Sequence, residues 1–309
     1  MSNPDDHPTT RRDALKCMAW AGTGALWALN GGVASSTMLG AGPAAKPASF
    51  TFLQISDSHV GFAKPANPDA RATLREAVAK IVAMPVKPDF IVHTGDITQL
   101  SRDSEFDDAD QILRETGLPT FYVPGEHDML DEGTGKAFLA RYGKDSRGAG
   151  WFSFDHQGVH FIGLVNVADL KPGGMGRLGT EQIAWLAKDL AGRPASTPII
   201  VLAHIPLWTV YAEWGWGTDD AAEALRLLAR FGSVSILNGH IHQIAQKVEG
   251  RMVFHTARST AFPQPAPGTA PSPGPQTVPA GQLHALLGIT DVAFQRGTQR
   301  IALTDSTLA

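Results

Sequence analysis

The stretch SFTFLQISDSH, residues 49–59, joins a β-rich segment to two side chains that commonly bind metals. Residues 49–56 alternate in hydrophobicity and are rich in β-forming side chains, a pattern that predicts a strand. Asp57 and His59 follow at once, and in extended backbone residues two positions apart point the same way. The stretch therefore predicts a strand that ends in a pair of possible metal ligands.

Four further polar clusters follow apolar segments in the same way. They are Gly95-Asp96 after Phe90–Val92, Gly125-Glu126-His127-Asp128 after Phe121–Val123, His204 after Ile199–Leu202, and Gly239-His240-Ile241-His242 after Val234–Leu237. A glycine before Asp96, Glu126 and His240 lets the backbone turn and approach closely. One Asp-x-His or His-x-His alone is weak support for a site, because short motifs often match by chance. Five clusters after strands predict one site, since ligands at strand ends of an α/β sheet converge on a single crevice.

The rest of the chain alternates between predicted strands and helices. Further strands are predicted at 89–93, 120–123, 159–165, 198–203 and 234–238, helices at 71–83, 103–116, 179–191 and 219–230, and hairpins near 244–256 and 287–304. This alternation predicts a layered α/β fold, and the hairpins make its sheets mixed rather than purely parallel. Residues 46–309 are assigned to one domain, which includes a Pro-rich surface loop at 263–279.

The order of the five clusters resembles the calcineurin-like metallophosphoesterase superfamily, whose pattern runs Asp-x-His, Gly-Asp, Gly-Asn-His-Asp/Glu, a lone His and Gly-His-x-His. The resemblance covers about residues 50–256 and implies a two-metal centre inside a four-layer αββα sandwich with two mixed sheets. By motif it implies that Asp57, His59 and His242 hold one metal ion, that Asp96 bridges, that Glu126, His204 and His240 hold the other, and that His127 is the catalytic histidine. Mixed imidazole and carboxylate ligands favour Zn, Mn or Fe over Ca or Mg.

Two positions depart from that family pattern. Glu126 stands where the family usually has Asn, and its extra negative charge is expected to weaken attraction for phosphate and to favour hard cations such as Mn or Fe. The alternative is that Glu126 points away and only one metal ion binds tightly. Gln99 stands near the place where many relatives have an Asp that steadies the catalytic histidine, and the sequence leaves open whether Asp128 takes that role.

The resemblance implies a hydrolase of small-molecule phosphate esters, mono- or diesters, that uses attack by a metal-bridging hydroxide. His127 would stabilise the transferring phosphoryl group or protonate the leaving group. The sequence contains no Gly-x-Ser-x-Gly or P-loop motif, and no Rossmann glycine motif directly after a predicted strand. Three alternatives remain: a metal-binding or interaction protein with a decayed site, a hydrolase of lipid-linked pyrophosphate, and a hydrolase of a non-phosphate ester.

Other histidines and aromatic residues support weaker predictions. His93, on the Asp96 strand, is interpreted as a core residue or a support for the ligands, and His160 as a surface residue. His255 either reaches a phosphate or lies on a solvated hairpin. Four aromatic residues that follow His204 form either a wall for an apolar or aromatic substrate group or ordinary packing. They are Trp208, Tyr211, Trp214 and Trp216.

The first 45 residues are predicted to be a twin-arginine signal peptide. Arg11-Arg12 precedes Lys16, an apolar run of about residues 18–29 follows, and the small residues at 41–45 offer a cleavage region. Ala14 departs from the motif, which usually carries Phe there. The run is shorter than the roughly 20 residues of a membrane span, so we expect no stable span after processing. The chain is therefore predicted to pass through the twin-arginine translocation machinery to the periplasm or another exported location; a buried or anchoring helix is the alternative.

Composition sets the outer limits of these interpretations. With 43% hydrophobic and 18% charged residues, the 309-residue chain is expected to be globular rather than mainly disordered. Its formal net charge of −4 gives no reason to expect a nucleic-acid partner. The single cysteine, Cys17, excludes an internal disulfide and lies inside the predicted signal peptide.

Overall fold

The computed structural model of the chain describes residues 25–30, 33–38, 50–131, 135–170, 174–295 and 300–309. These residues fall into two units, one within Met1–Pro47 and one within Ala48–Ala309. In the first unit, strand β1 (Ala25–Asn30) pairs antiparallel with strand β2 (Val33–Met38). The arginine pair and the cleavage region of the predicted signal peptide lie outside the described residues. None of the helices in the described part is long and apolar enough to cross a membrane.

The second unit alternates strands and helices along the chain. Its strands are β3 (Phe50–Ile55), β4 (Phe90–His93), β5 (Thr120–Tyr122), β6 (Phe152–His156), β7 (Val159–Gly163), β8 (Ile199–Leu202), β9 (Val234–Asn238), β10 (Gln246–Glu249), β11 (Met252–Thr256), β12 (Gly288–Gln295) and β13 (Arg300–Thr307). Its helices are α1 (Ala70–Val82), α2 (Asp103–Arg114), α3 (Lys136–Tyr142), α4 (Thr180–Leu190), α5 (Ala221–Leu228) and α6 (Leu283–Leu286). The elements predicted from periodicity are all present within a few residues of their expected bounds, whereas β6, α3 and α6 were not predicted.

Both sheets of the second unit are mixed, as predicted. The first has the order β13-β12-β3-β4-β5, with β3, β4 and β5 parallel and β12 antiparallel to both of its neighbours. The second has the order β10-β11-β9-β8-β7-β6, with a parallel centre from β11 to β7 and an antiparallel strand at each edge. The antiparallel edges come from the hairpins that the sequence indicates near the end of the chain and from β6.

Strand β3 shows how the sequence produces four layers. Its side chains alternate between two faces, so Phe50 and Phe52 pack between the two sheets, whereas Leu53 and Ile55 pack against the helices. The core between the sheets is largely aromatic; there Phe52 and Phe90 stack with ring centroids 5.1 Å apart. Helices α1, α2 and α3 cover the first sheet, and α4 and α5 cover the second. The result is the expected αββα sandwich.

The carboxyl ends of the central strands of both sheets meet at one edge of the sandwich. Buried Gln54, in β3, donates from Nε2 to Thr94 Oγ1 and to the Asn238 carbonyl, each at 3.0 Å. Asn238 ends β9, so this amide joins the two sheets where their strands stop. The loops that leave those strands carry the polar clusters of the sequence.

Candidate metal centre

The predicted ligands lie just beyond the ends of strands β3, β4, β5, β8 and β9. Five of them have left-handed backbone: φ is 52° at Asp57, 40° at His59, 51° at Asp96, 70° at His240 and 53° at His242. Such conformations are costly for residues with a Cβ and cluster at functional sites. The prediction that Asp57 and His59 point the same way because their backbone is extended was therefore wrong about the backbone, although the two side chains do converge. The turn, rather than the pleat, directs them.

One group of ligand atoms comes from Asp57, His59, Asp96 and His242, all at most 2% exposed. The Nε2 atoms of His59 and His242 are 3.2 Å apart. His59 Nε2 lies 3.4 Å from Asp96 Oδ2, and His242 Nε2 lies 3.4 Å from Asp57 Oδ1. Four buried donors at these separations form a compact group that one cation can join.

The second group consists of Glu126, His204 and His240. Glu126 Oε2 lies 3.0 Å from His204 Nε2, and Glu126 Oε1 lies 2.9 Å from His240 Nδ1. Glu126 thus points into the cluster, contrary to the alternative in which it points away. Asp96 Oδ2 is 3.4 Å from the Nε2 atoms of both His59 and His204. Asp96 therefore stands between the two groups, as the family pattern implies for a bridging residue.

Hydrogen bonds around the site leave the candidate ligand atoms free. The Nδ1 atoms of His204 and His242 donate to the carbonyls of Thr94 and Phe262, both at 2.6 Å, which directs each Nε2 toward the candidate metal site. Asp96 Oδ1 accepts the backbone N–H of His127 at 2.9 Å, which leaves Oδ2. These contacts orient the side chains before any cation arrives.

Several buried atoms of the second group form no well-directed hydrogen bond, although Glu126 lies close to both histidines. They are Glu126 Oε2, His204 Nε2 and both ring nitrogens of His240. Unpartnered buried polar atoms are rare in proteins because each one loses its hydration without compensation. A transition-metal ion satisfies carboxylate oxygens and imidazole nitrogens together. The donor set therefore fits a metal ion in each group.

Electrostatics at the second group favours a positive charge there. Burial alone would raise the pKa of Glu126, but His240 and His204 outweigh burial and hold that pKa well below its usual range. Burial would lower the pKa of His204, yet Asp96 and Glu126 raise it well above its usual value. Without an ion, the carboxylates thus draw a proton onto His204 as their counter-charge. A bound cation would take the place of that proton.

The predicted catalytic residue, His127, lines the cavity described below and stands next to both groups. Its Nδ1 donates to the Gln99 backbone carbonyl at 2.7 Å, while the Gln99 amide nitrogen is 3.3 Å away. Burial lowers its pKa, but Asp96, Glu126 and the Gln99 carbonyl raise it by more, so the pKa lies above the ordinary histidine value. The histidine is thus steadied by the backbone carbonyl of Gln99 rather than by a carboxylate.

Asp128 does not steady the ring of His127. Its buried carboxylate accepts the backbone N–H groups of Ile97, Thr98 and Gly125 at 2.9–3.1 Å. It thereby fastens the Asp96 loop to the Glu126 loop. This bracing role was missed, although a buried acid between two glycine-containing loops is a plausible anchor.

The remaining histidines lie outside the two ligand groups. His93 is buried behind the site and contacts Ser58 Oγ at 2.8 Å, as interpreted. The surface prediction for His160 was wrong, because its buried ring bridges Asp155 and Asp189. His255 is also buried and pairs with Asp305 at 3.0 Å, so it neither reaches the site nor faces solvent.

A cavity of about 390 Å³ opens onto the two ligand groups. Besides site residues, it is lined by Phe62, Lys64, Phe262, Trp214, Trp216 and Ser272–Pro275. Trp208 instead packs on Phe254 in the core, with ring centroids 5.1 Å apart. Part of the predicted wall and part of the Pro-rich loop therefore enclose the site. The loop between Phe262 and α6 contains no helix or strand in this structure, consistent with its composition.

Two mixed sheets with carboxylates and imidazoles gathered beyond their strand ends define an α/β fold with a candidate metal site. The model of the calcineurin-like phosphoesterase family matches residues 50–244. Because this match covers more than half of the chain, the protein belongs to that family.

Known relatives agree with this assignment. The chain is 26% identical over 200 residues to a probable cyclic nucleotide phosphodiesterase of Psychrobacter sp. (strain PRwf-1), a match that covers 62% of this chain and 57% of that protein. It is 23% identical over 224 residues to a probable glycerophosphodiester phosphodiesterase of Arcobacter nitrofigilis, covering 67% of this chain and 77% of that protein. The chain thus spans less than two thirds of the Psychrobacter relative.

Solved structures resemble the chain in fold. A dimetal phosphatase from Danio rerio superposes with a TM-score of 0.62 at 14% identity, over 85% of this chain and 97% of that one. A purple acid phosphatase from yellow lupin gives the same TM-score and identity, over 85% of this chain and 52% of that one. These likenesses confirm the four-layer architecture.

Proposed function

We propose that this protein is a binuclear-metal phosphodiesterase that acts on a small-molecule substrate. The observation that carries the proposal is the position of Asp96 Oδ2, 3.4 Å from one histidine nitrogen of each ligand group. A carboxylate shared in this way suits two ions held side by side. The names of the Psychrobacter and Arcobacter relatives favour diesters over monoesters.

In this proposal each ligand group holds one ion, and Mn, Fe and Zn are the candidate metals. The first ion would be bound by Asp57, His59 and His242, and the second by Glu126, His204 and His240. Asp96 would bind both ions. Glu126 contributes a third carboxylate to the centre. Because hard cations favour carboxylate oxygen, this residue favours Mn or Fe over Zn.

Two ions in such a centre activate water and neutralise the charge on phosphoryl oxygens. The remaining work falls to His127, whose Nδ1 is fixed by the Gln99 carbonyl at 2.7 Å. Its Nε2 is then the nitrogen that holds a proton for the departing alkoxide. The Gln99 carbonyl, which is not a candidate metal ligand, contributes to the raised pKa of His127 and so favours the protonated ring.

The proposal is tested by metal analysis of the purified protein together with a panel of phosphate mono- and diesters. We expect two transition-metal ions per chain and higher kcat/KM for diesters than for monoesters. Fewer than two ions, with no hydrolysis above that of an Asp96→Ala control, would favour a metal-binding protein with a decayed site. Two ions with hydrolysis of carboxylic esters alone would favour the non-phosphate alternative.

Replacing Glu126 with Asn is expected to keep the metal ions and to lower KM for phosphodiesters by about fivefold. The substitution removes one negative charge that faces the anionic substrate, while the amide oxygen is still able to bind a metal. Metal content and KM at low ionic strength are the measurements, because salt screens the effect.

Glu126→Asp is the matched control, since it keeps the charge and should leave KM high. Loss of the second ion from Glu126→Asn without any fall in KM would contradict this electrostatic account. A lower KM in both variants would point to the size of the side chain rather than its charge.

We further propose that the protein is exported by the twin-arginine route, because Arg11-Arg12 precedes an apolar run and a region of small residues. A reporter fused after residues 1–45 should leave the cytoplasm of a host that has this machinery. Replacing both Arg11 and Arg12 with Lys should retain the reporter inside the cell. Export that continues in the double variant would overturn this prediction.

A further inference from the structure

The cavity is lined by side chains of opposite charge. Its inner end carries the carboxylates of Asp96 and Glu126 beside the histidines, where the metal ions and the reacting phosphate belong. Among the described residues that line the cavity, Lys64 is the only lysine or arginine. No described carboxylate lies within ion-pair distance of Lys64. An unpaired cation in a substrate cavity is free to bind an anion that arrives with the substrate.

Lys64 sits on a turn that is anchored to the site. Its backbone N–H and carbonyl exchange hydrogen bonds with Asn67 at 3.1 and 2.9 Å. The buried amide of Asn67 donates to the Ala261 carbonyl at 2.6 Å and to Thr73 Oγ1 at 3.0 Å. The turn is therefore fixed both to helix α1 and to the segment that precedes Phe262. This support holds the backbone of Lys64 in place even though its side chain is exposed.

A series of aromatic contacts links Lys64 to the ligand groups. The Phe262 ring lies 4.7 Å from the His59 ring and 4.6 Å from the His242 ring. Phe62 follows, 4.3 Å from Phe262, and Lys64 Nζ lies 6.0 Å from the centroid of Phe62. These contacts connect Lys64 with the candidate ligand histidines through two phenylalanine rings that line the same cavity.

We propose that Lys64 binds a second anionic group, a carboxylate or phosphate, at the far end of the substrate's organic substituent. The inference rests on the proposed phosphodiesterase activity and adds a substrate class to it. The scissile phosphate occupies the inner end, the substituent passes the Phe62 side of the cavity, and the distal anion pairs with Lys64 Nζ. Lys64 is then a specificity residue rather than a catalytic one.

The test uses three p-nitrophenyl phosphodiesters that differ only in the second alcohol. The alcohol is 4-propylphenol, 4-(2-carboxyethyl)phenol or 4-(2-phosphonoethyl)phenol, so the leaving group is constant and the distal group is neutral, carboxylate or phosphonate. The readout is the ratio of kcat/KM for each anionic ester to that for the neutral ester. In Lys64→Gln we expect this ratio to fall about fivefold, in keeping with one partly solvated ion pair.

Two control variants make the outcome specific. Lys64→Arg should keep most of the preference, and Lys87→Gln, an exposed site that does not line the cavity, should leave the ratio unchanged. The difference between the carboxylate and phosphonate ratios identifies which anion fits better. A wild-type ratio that survives Lys64→Gln would overturn the inference while the proposed function stands. A wild-type protein that hydrolyses none of the three esters would overturn the proposed function itself.

Discussion

Replacing Asp96 with Ala should abolish phosphodiester hydrolysis almost completely, with kcat lower by about 10³-fold or more and fewer than two metal ions bound per chain. The expected size follows from the several kcal/mol that a metal centre contributes to phosphoryl transfer, at 1.36 kcal/mol for each factor of ten. Asp96 is expected to have the largest effect of the ligands because its Oδ2 serves both groups, at 3.4 Å from His59 and from His204.

A second consequence of losing Asp96 concerns the catalytic histidine. Asp96 Oδ1 accepts the backbone N–H of His127 at 2.9 Å, so the substitution also removes one of the hydrogen bonds that position the proton donor. Raising the metal concentration should therefore restore metal content before it restores kcat. Kinetics and metal content measured across a metal titration would reveal this difference.

Asp108→Ala is the control for the loss of one carboxylate. Asp108 lies on helix α2 and pairs with Arg71 at 3.1 Å, with a side chain 39% exposed. Surface pairs of this kind contribute little to stability, so activity and metal content should match those of the wild type. If Asp96→Ala kept two ions and more than a tenth of the wild-type kcat, the bridging assignment would be wrong.

The sequence predicted the convergence of the ligands well because polar residues after apolar strands are constrained by chain connectivity. Asp57 and His204 each follow a strand whose pairing in a sheet fixes where the strand ends. The orientation of the ligand side chains was harder to predict from the sequence. The left-handed backbone at Asp57 is set by the turn and by contacts with the neighbouring loop. One such contact is the hydrogen bond that the Asp57 backbone N–H donates to the Gly95 carbonyl at 3.0 Å.

Features that depend on long-range contacts could not be predicted from local pattern. Lys64 lines the cavity because Asn67 is tied to Ala261, which lies 194 positions further along the chain. His160 is buried because Asp189, from helix α4, reaches its Nε2 at 2.7 Å. In each case the deciding partner belongs to a different element, and no periodicity within a short window records it.

Replacing Gly95 with Ala should lower the free energy of unfolding by about 3 kcal/mol or more, a fall in Tm of roughly 10 °C for a unit of this size. Gly95 has φ of +96°, and a Cβ there would collide with the His204 ring and with the Gly125 backbone nitrogen. The His204 ring has little freedom to move away, because its Nδ1 is bonded to the Thr94 carbonyl at 2.6 Å. The strain should therefore reach the metal centre and reduce occupancy of the second ion as well as stability.

Gly158 supplies the matched comparison for this substitution. It has a similar φ of +86° in the turn between β6 and β7, but a Cβ there meets no atom within 4 Å. Gly158→Ala thus carries the backbone cost of a left-handed alanine alone, about 1–2 kcal/mol, and should leave metal content unchanged. The excess loss in Gly95→Ala measures the collision with His204 and Gly125. Equal shifts in Tm for the two variants, with full metal content in both, would contradict this prediction. They would show that a methyl group fits at Gly95 and that the close packing of Gly95 does not position His204.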